Sequence, residues 1–228
     1  MKFTRDDHTR VSAAIVAAEA GTSGEIFCVC ARRVSSYRDV SLGWAAAAAL
    51  LAPIGLIPLG FDPAWFPGIA DSWEAAHMAA RDITVGRALA AYAVLQAAVF
   101  VVVFLVTCIP AIRQRVTPRS VRRARVRRAA MQQFLAHGLH TTQDRTGVLI
   151  FAALSDHQVE IIADEGIHGR VDRDVWARAV DALTLAMRAG RPAEGFEAAI
   201  ALTGGVLAEH FPPRPRNPDE LPNRLVEL

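Results

Sequence analysis

Asp164 and Glu165 stand side by side ahead of Gly166, and Glu25, Asp144, Asp172 and Asp174 fall where a strand or a helix begins. Carboxylates grouped near glycines suit a hard cation such as Ca²⁺ or Mg²⁺, which takes several oxygen ligands at once. Asp164, Glu165, Glu25 and Asp172 are the candidate metal ligands. The ordinary alternative is an ion pair to Arg145 and simple helix capping, because a carboxylate in a first helical turn is stabilising without any ligand.

Other chemistry is thinner. His137 and His140 are three residues apart, which can place two imidazoles on one helix face, but Gly138 between them marks a helix end. Asp164 could pair with His137, His140 or His157 for proton transfer. His157 lies at the far end of its strand from Asp164, which disfavours that pair. Cys28 and Cys30 alternate within a strand-like run, so both point to one face, and their spacing is neither a redox nor a zinc pattern. Buried thiols in a reducing compartment are the simpler reading. No P-loop, GxGxxG, HExxH or GxSxG occurs.

The third group is basic. Eight arginines and no acid lie between Arg113 and Arg128. Such a cluster can bind nucleic acid or anionic lipid. It directly follows an apolar run, and no aromatic platform or recognition helix accompanies it. Arg113, Arg115, Arg119, Arg122 and Arg123 therefore read as lipid-facing, and nucleic acid is not expected.

These groups need elements to hold them. The chain of 228 residues is 52% hydrophobic, with a mean hydropathy of +0.23, which points to membrane segments. Val40–Phe61 and Ala88–Ile112 are uncharged runs. A helix of the first run's length spans about 33 Å, enough for the hydrocarbon core. Pro53 and Pro58 predict a kink. Residues 62–87 between the spans are net acidic and carry Trp65, Phe66 and Trp73, as in an interfacial belt, while basic residues flank the outer ends. The positive-inside rule places both termini in the cytoplasm and the loop outside.

Outside the spans the pattern is α/β. Residues 4–20 repeat apolar positions at helical spacing and end at Gly21. Glu25–Ala31 reads as a buried strand. Thr117-Pro118 looks like the start of a helix running to about His137. Thr146–Leu154 and His157–Asp164, parted by Ser155 and Asp156, read as a β-hairpin. Asp174 can cap a helix with the stripe Trp176, Val180, Leu183 and Met187, ended by Gly190. Pro192 opens another. The proline-rich tail from Phe211 reads as extended, laid on the surface or mobile.

Residues 1–39 and 113–228 together make one ordinary domain, whereas each piece alone lacks partners for its strands. The economical architecture is a small mixed sheet covered by helices, with a two-helix transmembrane hairpin, residues 40–112, inserted after the first strand. Strand 25–31 then pairs in parallel with 146–154, and 157–164 pairs antiparallel on the other side. That arrangement gathers Glu25, Asp144, Arg145, Asp164 and Glu165 along one edge.

TGVLIF, the hairpin, IIADEGI, a Trp-bearing helix and a further helix near a Gly-Phe pair together resemble the TPM-domain family, in its bacterial membrane-bound branch. The ending HFPP…NPDELPNRLVEL is similar to that branch too. The resemblance implies a small α/β sandwich. It also implies either an acid phosphatase that uses divalent cations at acidic clusters, or a module that works beside LemA-type membrane proteins. Most members carry the domain ahead of an anchor and outside the cytoplasm, whereas here the spans interrupt it. A partner-binding module in membrane or envelope protein homeostasis is the first expectation, and a cation-dependent phosphatase or other hydrolase the second.

Overall fold

A computed structural model of the chain describes residues 3–56, 80–168, 170–171, 173–215 and 217–228. They form two compact units, Met1–Ser36 with Arg119–Leu228, and Tyr37–Pro118.

The first unit is a layered α/β domain around a four-stranded sheet. Its strands are β1 (Glu25–Ala31), β2 (Gly147–Ala153), β3 (Gln158–Ala163) and β4 (Leu225–Glu227), in the order β3-β2-β1-β4. β1 lies parallel to β2, with Glu25 opposite Gly147 and Ile26 opposite Val148. β2 and β3 form the hairpin, Val148 opposite Ala163. The sheet thus joins strands from both sides of the long insertion, as the apolar pattern requires. β1 and β2 are buried along their whole length, which explains why their sequences are continuous apolar runs rather than alternating ones.

Alternation along each strand builds two cores. Ile26, Cys28, Cys30, Val148 and Ile150 face the side covered by α1 (Arg5–Glu19), α7 (Ala177–Arg188) and α8 (Pro192–His210). Phe27, Val29, Leu149 and Phe151 face the other side, under Val126, Ala130 and Phe134 of α5 (Arg119–Ala136). Cys28 and Cys30 share a face, as their spacing predicts, and both are free thiols. Burial pushes both thiol pKa values up, that of Cys30 to about 12, so neither is a nucleophile at neutral pH.

Several local expectations need correction. The tail is not merely laid on the surface: its last residues add β4 in parallel to β1, held by Arg32 N–H to Leu228 O and Leu228 N–H to Cys30 O, each 2.9 Å. A three-residue strand after five prolines carries almost no periodicity of its own. The hairpin connection spans residues 154–157, longer than the two-residue break expected, because His157 turns at a φ of 48° and leaves the ladder. Asp174 lies inside a 3₁₀ turn, Arg173–Trp176, and Trp176 occupies the cap of α7 without a side-chain bond. A short helix α6 (Glu165–His168) follows β3 directly.

The second unit holds α2 (Arg38–Leu56), α3 (Ala80–Cys108) and α4 (Pro110–Val116). Arg38–Leu56 and Leu89–Cys108 are long and apolar enough to cross a membrane. α2 and α3 pack together, with Ser41 Oγ donating to Thr107 O at 3.2 Å. Thr117 closes α4 by donating its hydroxyl to Arg113 O at 2.7 Å. It therefore caps the end of one helix rather than starting the next. The remainder of the first span, 57–61, and the loop as far as residue 79, with Trp65, Phe66, Asp71 and Trp73, lie outside the described residues.

Candidate functional site

β3 is an edge strand, flanked on its two faces by α5 and α7. Between them lies a groove of about 930 Å³, with β3 as its floor. Met131 and Phe134 line the α5 wall, and Trp176 and Val180 the α7 wall. This is a concave surface lined by polar and apolar side chains in similar measure, with the apolar ones on both walls; concave sites with convergent polar groups are where ligands ordinarily bind.

The polar groups divide by wall. Arg123 Nε and Arg127 Nη1 lie 3.7 and 3.6 Å from the two oxygens of Glu160. The Glu160 side chain is only 10% exposed, while those of the arginines are 78% and 58% exposed. Burial raises the Glu160 pKa and the two guanidiniums oppose that rise. One carboxylate thus faces two cations, and a positive charge is left over on this wall. Asp174 and Asp181 stand on the α7 side.

The acidic rim is less convergent than its sequence suggests. Asp164 is 8% exposed; its Oδ1 accepts from Glu165 N–H at 2.7 Å, and its Oδ2 has no hydrogen-bond partner. Glu165 points to solvent and pairs with Arg145 at 2.7 Å. Asp144 pairs with Arg214 at 3.1 Å. Glu25 is buried on the other side of β2, where its Oε2 accepts from Leu221 N–H at 3.3 Å, and burial raises its pKa. Asp172 lies outside the described residues. Among the described residues no three His, Cys, Asp or Glu side chains converge on one metal position. Gly166 explains the tight turn after Asp164, since a Cβ there would meet Asp144 O at 2.5 Å and Arg145 O at 2.6 Å.

The histidines also separate. Gly138 takes a left-handed φ of 71° and ends α5, so His137 lies against the Phe27 ring, 4.5 Å between centroids, and His140 falls in a 3₁₀ turn. His168 Nδ1, not among the candidates, lies 3.1 Å from Asp164 O.

Residues 112–206 match the model of the TPM domain. The chain carries a TPM domain. The TPM match takes in α5, β2, β3, α6, α7 and most of α8, so the groove lies wholly inside it. In this chain the TPM sheet is completed by β1 and β4 from beyond the matched residues. The NMR structure of BA42 protein from the psychrophilic bacterium Bizionia argentinensis is similar, with 19% identity, a TM-score of 0.57, and coverage of 100% of this chain and 97% of that one. That likeness establishes a shared fold. No curated protein matches the chain in sequence.

Sequence reasoning missed two features of this TPM domain. Glu160 reads as the polar half of an alternating strand, and nothing local reveals that Arg123 and Arg127 meet it. Glu19, the last residue of α1, is 6% exposed and bonds the strand beyond it. A lone acid at a helix end gives no hint of either.

Proposed function

We propose that the chain is a membrane-anchored TPM module that acts by binding a partner, with the groove between α5 and α7 as the docking surface. The groove itself carries this reading: a concave groove of mixed polarity, floored by a strand edge, suits a protein ligand. Two apolar helices supply the anchor. The acidic loop and the basic flanks support an orientation with both termini in the cytoplasm, and the resemblance to the bacterial membrane-bound branch favours an inner-membrane location. The family resemblance favours a membrane-protein partner of the LemA type and a role in membrane or envelope protein homeostasis.

The test is site-specific photo-crosslinking in native membranes. A photoreactive residue at Val180 or Thr184, which line the groove, is expected to trap one discrete partner. The same residue at Leu185, which is 71% exposed and outside the groove, is expected to trap none. Equal adducts from all three positions contradict the reading.

One observation favours a second reading. Asp164 Oδ2 is buried, lines the groove and has no hydrogen-bond partner, as a residue of a divalent-cation-dependent phosphatase or other hydrolase would. Hydrolysis of p-nitrophenyl phosphate that needs Mg²⁺ or Ca²⁺ and disappears in Asp164→Ala would favour it over partner binding.

A further inference from the structure

The groove's floor is a row of backbone groups, and the ladder fixes which of them face outward. Asp164 N–H donates to Gly147 O at 2.9 Å. In an antiparallel pair, hydrogen-bonded and non-hydrogen-bonded positions alternate. Gln158, Glu160 and Ile162 therefore turn their backbone groups to β2, and Val159, Ile161 and Ala163 turn theirs to the open edge. Among the described residues no hydrogen bond reaches those three N–H groups. A bare edge of this kind is a template for another strand, and proteins ordinarily blunt it. Here the helices cover the faces of β3 and leave its edge as the bottom of a channel.

The side chains say what kind of strand fits. β3 sends Val159 and Ala163 into the core under α7, and Ile162 into the core under α5. An added strand continues that alternation, with one set of side chains toward Trp176 and Val180 and the other toward α5. On the α5 wall, Arg123 and Arg127 share the single Glu160 carboxylate at distances beyond a hydrogen bond, and both are well exposed. That wall presents two exposed guanidiniums that a further carboxylate can engage, while Asp174 and Asp181 on the opposite wall oppose acidic side chains there.

We infer that the open edge of β3 accepts an extended peptide segment as a fifth strand, apolar on the face toward α7 and acidic on the face toward Arg123 and Arg127. The occupant is a partner protein's segment of five or six residues, matching the length of β3. Main-chain bonds to residues 159, 161 and 163 supply affinity, and the arginines select acidic side chains. This rests on the partner-binding reading above and specifies how the same groove would be used.

The full-length protein in lipid nanodiscs, presented to a displayed library of random twelve-residue peptides, tests it. Enriched peptides are expected to alternate, with Asp or Glu on one face and apolar residues on the other. Bound to the protein, they are expected to slow amide exchange at Val159, Ile161 and Ala163. Arg123→Glu with Arg127→Glu is expected to weaken acidic peptides tenfold or more and to favour lysine-bearing ones. Arg123→Gln with Arg127→Gln keeps the test open if the reversal impairs folding. Failure to enrich any peptide, enrichment of peptides without acids, or binding that leaves the three amides unprotected overturns the inference. So does protection that grows with protein concentration in the absence of peptide, which would make a second copy the occupant. If groove positions still cross-link a partner in membranes while these amides stay unprotected, partner binding survives and strand addition does not.

Discussion

Glu19 at the end of α1 accepts a hydrogen bond from the Ile26 amide at 2.8 Å, so one buried carboxylate ties the first helix to the strand beside it. Burial, together with Glu25 and Asp219 nearby, raises its pKa to about 8. Its second oxygen has no hydrogen-bond partner, and neither has the side-chain oxygen of the neighbouring Asn223.

A pH dependence follows. An acid whose pKa is higher in the folded state than in the unfolded one binds its proton more tightly when folded. The associated stability is full below the ordinary carboxylate range near 4.5 and is lost as pH rises through about 8. Thermal unfolding followed from pH 5 to pH 8.5 is therefore expected to show falling stability. Glu19→Gln keeps the acceptor for Ile26 and is expected to flatten that slope, with a higher Tm than wild type at pH 8 and little change at pH 5. Parallel profiles for the two proteins would contradict this.

The turn after β3 makes a second prediction. Gly166→Ala sets a Cβ against two backbone carbonyls that cannot move independently, and a cost of about 1–3 kcal/mol is expected. Gly205, in α8, meets nothing within 4 Å. Gly205→Ala is expected to be neutral or to stabilise by up to about 1 kcal/mol, through helix propensity alone. Chemical denaturation of both variants checks the contrast.

The C-terminal strand supplies a third. Leu225 is 4% exposed against β1, whereas Leu228 is 54% exposed. Leu225→Ala is expected to cost about 2–4 kcal/mol, and Leu228→Ala less than about 0.5 kcal/mol. Equal effects would mean that β4 does not hold in solution.

Topology can be read directly in cells. A cysteine replacing Asp71 is expected to react with a membrane-impermeant maleimide, and one at Leu228 only after lysis. The reverse pattern would contradict the orientation inferred from charge.

The sheet was legible because burial on both faces demands apolar residues without interruption. IFCVCA and GVLIFAA satisfy that demand with β-branched and aromatic residues, whereas the equally long AAIVAA run in α1 is mostly alanine. β4 was not, because Leu225–Glu227 is too short for a pattern and is recruited by the bare edge of β1. The acidic rim was half legible. Its residues do lie along one edge, but Arg145 and Arg214 take two of the carboxylates and β2 separates Glu25 from Asp164. The groove depends on which strand is left at the edge, a property of the assembled sheet. Local sequence carries no trace of it.

The most direct test of the central claim uses two prolines. Ile161→Pro removes an amide that faces the open edge, a position where edge strands tolerate proline. Ile162→Pro removes one that bonds β2 and is expected to destabilise the domain. The measurement is cross-linking to the membrane partner from a photoreactive Val180 in each background, with Tm recorded alongside. The account predicts that Ile161→Pro stays folded and loses the adduct. A folded Ile161→Pro protein that traps its partner as well as wild type would contradict it.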